Sequence, residues 1–426
     1  MMQFKNLKGS YDYLPEKQII REEIKDILSS TFQKYGFSPI ETPILCYYDL
    51  LSSKYSEGAD ILNETYKLTD QGERALGLRY DLTITFSKLI SSNADIKLPF
   101  KRYEMGKVFR DGPVKLGRNR EFTQCDIDTV GVKSLMAEAT YFSMCKEVFN
   151  KLKLDVVIKY NNRKLLIGLI EHVGISSNLA NEIIIIVDKL EKLPRKEILS
   201  EFCKLGISED VYLKLEGLFQ MDLKEIILYF EKQEMNENIE IGIKELNELE
   251  TYITAMELND LVKFCPFLAR GIGVYTGTVW EVFMKDESIT SSISAGGRYD
   301  NIITNFIDNG FEYPAVGMTF GLDVIYEALR IKSDKLKKTV VELFLIPMGT
   351  EVQTLKLANI LRNYGVNTDI DMTGQKIKKA FSYADKVGIP YASVIGENEV
   401  NSKLITIKSL RTGEQNTFAY DNYIDI

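Results

Sequence analysis

The chain has 426 residues, 45% of them hydrophobic, and a formal net charge of -8 at pH 7. That length implies two or three domains, and the charge means that any nucleic-acid partner is met by local basic patches, because the overall field is repulsive. Five scattered cysteines without a close pair fit a reduced protein lacking a structural zinc site, and a single histidine, His172, excludes His-dependent triads and HExxH metal sites. His172 is expected to be an ordinary helix or surface residue. No signal-length apolar core opens the chain and no stretch approaches a membrane span, so a cytoplasmic protein without membrane contact is expected.

In chain order, Pro15 opens a helical pattern with Ile20, Ile24, Ile27, Leu28, Phe32 and Tyr35 on one stripe, closed by Gly36. Phe37–Leu45 reads as an extended strand whose prolines confine it to an edge or a symmetric interface. Thr65–Thr69 and Ala75–Tyr80 predict a hairpin around Asp70-Gln71-Gly72-Glu73, with Asp81 as N-cap of the next helix. A helix over Ser134–Leu152 and a strand over Leu154–Tyr160 follow. About Lys164–Thr254 the pattern becomes that of a helical insertion. Strands resume over Val274–Phe283 and Thr290–Ala295, then the glycine-rich segment Ala295–Asp300, then Pro314–Phe320 running into a helix at Gly321–Arg330. Beyond the basic linker Lys332–Lys338, strand and helix alternate: Val341–Pro347, Thr354–Tyr364, Asn367–Ile370, Gln375–Val387 and Ala392–Ile395. Lys376, Lys378, Lys379 and Lys386 on the second of these helices read as a solvated face.

The chemistry concentrates in Val108–Asp128, VFRDGPVKLGRNREFTQCDID. Period-2 runs flank a turn at Gly112, Pro113 and Gly117, which predicts an antiparallel hairpin with Arg110, Lys115, Arg118 and Arg120 at its mouth. Phe122, Gln124, Asp126 and Asp128 share one strand face. Carboxylates and an amide beneath guanidinium groups suit a ligand carrying both an ammonium and a phosphate. A solvated hairpin with surface charges is the competing reading of this segment alone.

Taken together and in order, these segments resemble the histidyl-tRNA synthetases, a branch of the class II aminoacyl-tRNA synthetases, nearly over the full length. KGSYDYLP with GFSPIETPIL is similar to the dimer-forming first motif, and VFRDGPVKLGRNREFTQCDID to the second. LRYDLT resembles the segment that reads the substrate amine, LARGIGVYTGTVWE and SAGGRYD the histidine-specific signatures, and PAVGMTFGLDVI the third motif. The resemblance implies an α+β class II synthetase-like antiparallel sheet with flanking helices over 1–330, a helical insertion at about 164–254, a linker at 331–339 and a C-terminal α/β anticodon-binding-like domain over 340–426. It implies a homodimeric histidine–tRNA ligase that uses ATP with Mg²⁺ to form histidyl-adenylate and passes the histidine to tRNA(His). Arg110 and Arg270 would flank the α-phosphate, and Arg118 would meet the outer phosphates. Asp81, Thr83 and Gln124 would take the α-ammonium of histidine, and Asp128 and Tyr275 its imidazole.

Two segments depart from the family pattern. Gly273 and Val274 precede a single Tyr275 where an acid or other polar residue and a tyrosine pair are usual, and Val324 stands where the third motif carries an arginine. Losing that arginine's stacking on adenine and its phosphate contact costs about 2–4 kcal/mol. These departures leave open a non-catalytic relative that binds histidine, such as a regulatory subunit of ATP phosphoribosyltransferase. Arg110, Arg118, Arg270 and the tail at Val341–Ile426 weigh against it. A tRNA-binding protein using the tail alone is a third reading.

Overall fold

The computed structural model describes residues 4–53, 60–93, 95–114, 117, 119–270, 273–332 and 337–420. The chain divides into two compact units, residues 1–11 with 24–332 and residues 12–23 with 333–426.

The strands of the first unit are β1 (Ser38–Pro39), β2 (Leu45–Tyr47), β3 (Lys67–Thr69), β4 (Ala75–Leu78), β5 (Phe100–Phe109), β6 (Glu121–Val130), β7 (Val156–Asn162), β8 (Val262–Phe264), β9 (Thr278–Met284), β10 (Ser294–Arg298) and β11 (Ala315–Gly321). Eight of them form one sheet in the order β1-β5-β6-β11-β10-β9-β7-β8. Only its two ends are parallel, β1 with β5 and β7 with β8. The long hairpin expected from the alternation is its centre: Gly106 pairs with Gln124, Glu104 with Asp126 and Arg102 with Asp128. The expected strand over Phe37–Leu45 is shorter, because only Ser38 and Pro39 pair with β5 and the chain re-enters a ladder at Leu45. Pro39 and Pro43 have no N–H to give a ladder.

Alternation gives the sheet two different faces. One is apolar and covered by the helix Met136–Lys151 and by residues 24–34: Phe142 lies 5.3 Å from Trp280, Phe149 lies 5.8 Å from Phe320, and Phe32 lies 5.5 Å from Phe320. Cys125 and Ile127 of β6 are fully buried there. The other face is polar and carries Arg102, Glu104, Gln124, Asp126 and Asp128.

β10 runs through the glycine-rich segment. Gly296 and Gly297 lie inside the strand, paired with Met318 and Gly317 of β11 and with Trp280 and Val279 of β9. A Cβ on Gly297 would stand 2.5 Å from the Tyr275 ring, and one on Gly296 would overlap Trp280. Glycine is needed for close approach across the sheet, not for a turn.

Between β7 and β8 the described residues are helical or connecting. Its first and last helices, Arg163–His172 and Glu237–Ala255, approach closely at two glycines: a Cβ on Gly168 would lie 2.6 Å from Ile239, and one on Gly242 2.6 Å from the Leu165 nitrogen. Both helices are capped by asparagine, Asn162 Oδ1 accepting from Lys164 N at 2.9 Å and Asn236 Oδ1 from Ile239 N at 2.9 Å. His172 ends the first helix with its ring 4.9 Å from Phe230, and burial lowers its pKa.

The second unit holds β12 (Leu343–Pro347), β13 (Thr368–Ile370), β14 (Tyr391–Ile395), β15 (Leu404–Ser409) and β16 (Gln415–Ala419) in the order β13-β12-β14-β15-β16. β12 to β14 run parallel, with the helices Glu351–Asn363 and Ile377–Val387 as crossovers. The helix Glu397–Ser402 and the closing hairpin β15–β16 extend the strand–helix alternation read from the sequence.

Candidate active site

The polar face is organised in rows that cross the strands. Gln124 lies between Gly106 and Gly321, Asp126 between Glu104 and Thr319, and Asp128 between Arg102 and Gly317. Beyond Gly317 comes Gly297, and beyond Thr319 come Ala295 and then Glu281. The glycines leave room for their neighbours' side chains: a Cβ on Gly317 would overlap the Asp128 carboxylate, and one on Gly297 would strike Tyr275. Asp128 and Tyr275 are thereby brought over adjacent glycines, although 147 positions separate them in the chain (275 − 128).

Asp128 is 3% exposed, and its Oδ2 lies 2.6 Å from Arg102 Nη2 while the Tyr299 hydroxyl donates to its Oδ1. Burial, then the Asp128 charge, raises the Tyr299 pKa well above the usual phenol value, so the hydroxyl keeps its proton. Arg102 is fully buried, with its guanidinium 4.4 Å from the Phe86 ring centre. Burial opposes its charge, but Asp128, Asp126 and Glu104 together hold its pKa above the ordinary value. Glu104 in turn accepts from Arg79 Nη1 at 2.9 Å and from Thr42 N at 2.9 Å. Arg79, Arg102, Glu104 and Tyr299 escaped the sequence reading. The alternation of Arg102, Glu104 and Gly106 along β5 is the signal that exposes two of them.

Gln124 donates from Nε2 to Thr319 Oγ1 at 3.4 Å, which leaves its Oε1 as the acceptor facing the site. Asp81 stands one residue before Leu82, the N-cap of the helix Thr83–Ser91 where Asp81 itself was expected, and its Oδ1 accepts from Ile84 N at 3.1 Å; Thr83 is that helix's first residue. At the hairpin mouth Arg110 donates from Nε to the Tyr80 carbonyl at 3.1 Å and stacks over Phe122 with 5.2 Å to the ring centre. The hairpin base is closed by Gly9, whose carbonyl accepts from Arg120 N at 2.9 Å and Glu121 N at 3.1 Å. Arg118 and Lys115 lie outside the described residues.

Across the sheet, Arg270 is paired through Nη1 to Glu281, the end of the Asp126 row. Burial works against its charge, yet Tyr275 and Glu281 keep its pKa above the ordinary arginine value, so it is a permanent, oriented cation. Val324, in the helix Leu322–Lys332, reaches the hairpin turn: a Cβ on Gly117 would lie 3.3 Å from its Cγ2. The preceding Asp323 accepts from Thr123 N at 3.1 Å and anchors that helix to β6. Among the described residues no group of three or more His, Cys, Asp or Glu side chains is placed to hold a metal ion, and no helix is long and apolar enough to cross a membrane.

An antiparallel sheet with an arginine-bearing hairpin at its centre, a second cation across its polar face, and a separate mixed-sheet tail define the chain as a class II aminoacyl-tRNA ligase. Residues 9–325 match the profile of the histidyl-tRNA synthetase family and residues 342–426 that of the anticodon-binding domain. The chain belongs to the histidyl-tRNA synthetase family, whose activity is histidine–tRNA ligation with ATP as substrate. It is 46% identical over 416 residues to histidine–tRNA ligase 1 of Bacillus cereus, with 97% of each chain covered. Its fold is similar to the crystal structure of histidyl-tRNA synthetase from Nostoc sp. PCC 7120, with a TM-score of 0.89, 29% identity, and 99% and 98% of the two chains covered. A structure described as an ATP phosphoribosyltransferase regulatory subunit/histidyl-tRNA synthetase, from Bacillus halodurans C, shares the fold at a TM-score of 0.77 and 20% identity, covering 93% of this chain and 98% of the other. The non-catalytic reading is not favoured by these relationships.

Proposed function

We propose that the polar face of the sheet is where histidine and ATP react, and that its side chains divide the work by charge. Asp128 and Tyr275 take the imidazole. Asp128 is the acceptor for a ring N–H, held in place by Arg102 and Tyr299, and the Tyr275 phenol meets the other nitrogen. An amino acid that leaves this pair unsatisfied is rejected strongly, because buried polar groups lose their partners. Asp81, Thr83 and Gln124 take the α-ammonium. Arg110 holds the α-phosphate against the substrate carboxylate, and Arg118 meets the outer phosphates.

No side-chain nucleophile is required. A carboxylate oxygen of histidine attacks the α-phosphorus, the bond to the β-phosphate oxygen breaks, and pyrophosphate leaves with its electron pair. Arg270, fixed by Glu281, stabilises the charge that grows on the α-phosphoryl oxygens. A terminal ribose hydroxyl of tRNA(His) then attacks the acyl carbon and AMP leaves. Mg²⁺ travels with the ATP phosphates as part of the substrate. The tail reads tRNA, and the chain works as a homodimer in the cytoplasm.

The observation that carries this reading is the register that aligns Gln124 and Asp128 with Gly321 and Gly317. At Gly317 the missing side chain leaves the room that the Asp128 carboxylate occupies. Histidine-dependent ATP–pyrophosphate exchange by the purified chain tests it, with exchange expected and its absence fatal to the proposal.

A further inference from the structure

Asp126 has no part in the roles above, yet it occupies the middle of the site. It lies on β6 between Gln124 and Asp128, on the same face, and only 5% of it is exposed. Its ladder partner Thr319 receives the Gln124 amide on its hydroxyl at 3.4 Å. Two acceptors, Gln124 Oε1 and Asp126 Oδ1, are buried and without a hydrogen-bond partner among the described residues. A buried acceptor left without a donor costs free energy, and a carboxylate costs more than an amide. Two of them at adjacent same-face positions, roughly 7 Å apart along the strand, can converge on one small cation. Asp81 is near enough that its charge is felt by Asp126.

We propose that Asp126 is a further substrate-binding residue, which accepts an N–H of the α-ammonium of histidine beside Gln124 Oε1. An ammonium carries three donors, and Gln124, Asp126 and the Asp81–Thr83 corner offer acceptors to all of them. The imidazole belongs one row deeper, where Asp128 is already held by Arg102 and Tyr299. This assignment rests on the proposed histidine site and extends it. It also accounts for the ligand-free state of Asp126: burial, opposed by Arg102 and aided by Asp128, lifts its pKa to about 7. Arrival of an ammonium would ionise it.

The test is calorimetric binding of histidine and of its des-amino analogue, imidazolepropionate, to the full chain and to the Asp126→Asn variant. Loss of a charge-assisted contact is expected to weaken histidine by about tenfold or more, and to leave the analogue within about twofold, because it has no ammonium. The unliganded variant is expected to melt no lower than the wild type, since an amide is cheaper to bury than a carboxylate. Unchanged histidine affinity in the variant, or equal weakening of both ligands, overturns the assignment while the histidine site stands. A wild-type chain that binds no histidine overturns the site and the assignment together. Should Asp126→Asn fail to fold, Asp126→Ser is read by the same comparison.

Discussion

The Tyr299 hydroxyl donates to Asp128 Oδ1, and the aspartate's other oxygen meets Arg102 Nη2 at 2.6 Å. Asp128 is therefore an aimed carboxylate: a phenol fixes one oxygen and a buried guanidinium the other. Tyr299→Phe removes the donor with little change in volume. The expected result in exchange kinetics is a fall of about tenfold in kcat/KM for histidine, with the KM for ATP nearly unchanged. Equal losses for both substrates would contradict the orienting role.

Arg102 shares its charge among Asp128, Asp126 and Glu104 while fully buried. Replacing it by Met leaves three acids without their common cation. Urea unfolding is expected to show a loss of about 3–5 kcal/mol, the range for breaking a buried ionic cluster from one side. A loss near zero would mean that the acids are protonated together in the folded protein.

Much of this geometry can be read directly from the chain. The β5–β6 hairpin declares itself because its two strands are close in sequence and alternate visibly, and Asp81 declares itself at a helix start because the helix follows at once. Arg102 and Tyr299 are harder, since what makes them functional is a neighbour on another strand: Tyr299 reaches Asp128 only once β11 has been laid between β6 and β10. The Gly296-Gly297 pair is hard for the same reason. Locally a glycine pair fits any tight turn, and only the approach of Trp280 and Tyr275 from elsewhere in the chain explains why both residues must lack a side chain.

Asp126 gives the protein a pH signature. Its pKa is 3.8 in an unperturbed chain and about 7 here, raised by burial and by Asp128 and Asp81, and opposed by Arg102 and the Thr319 hydroxyl. Glu104 faces it from β5 with Arg79 as partner. Between those two values the folded state holds a proton that the unfolded state has lost, so this group's contribution makes stability decline as pH rises through the window. Below the lower value the effect vanishes, and above the upper one it is constant. Urea unfolding of wild type and Asp126→Asn at stepped pH is expected to show the variant gaining on the wild type from about pH 4 to about pH 7. A pH-independent difference would contradict the shift.

Val324 abuts the hairpin turn at Gly117, at the position where the family pattern carries an arginine. Val324→Arg restores a cation beside the nucleotide and is expected to lower the KM for ATP by about tenfold, with the KM for histidine unchanged. An unchanged KM for ATP would show that the nucleotide does not approach this helix.

Arg270 is permanently charged and braced by Glu281. Arg270→Ala is expected to reduce kcat by about a hundredfold or more while changing both KM values by only a few fold, the pattern of an interaction made in the transition state. A rise in KM alone would reassign it to ground-state binding.

The claim on which the rest depends is that the polar face of this sheet activates histidine. Its most direct test is ATP–pyrophosphate exchange by the purified chain, with and without histidine, beside the Asp128→Ala variant. Histidine-dependent exchange in the wild type and a selective collapse of histidine affinity in the variant are expected. Exchange that is absent, or that proceeds equally without Asp128, would contradict it.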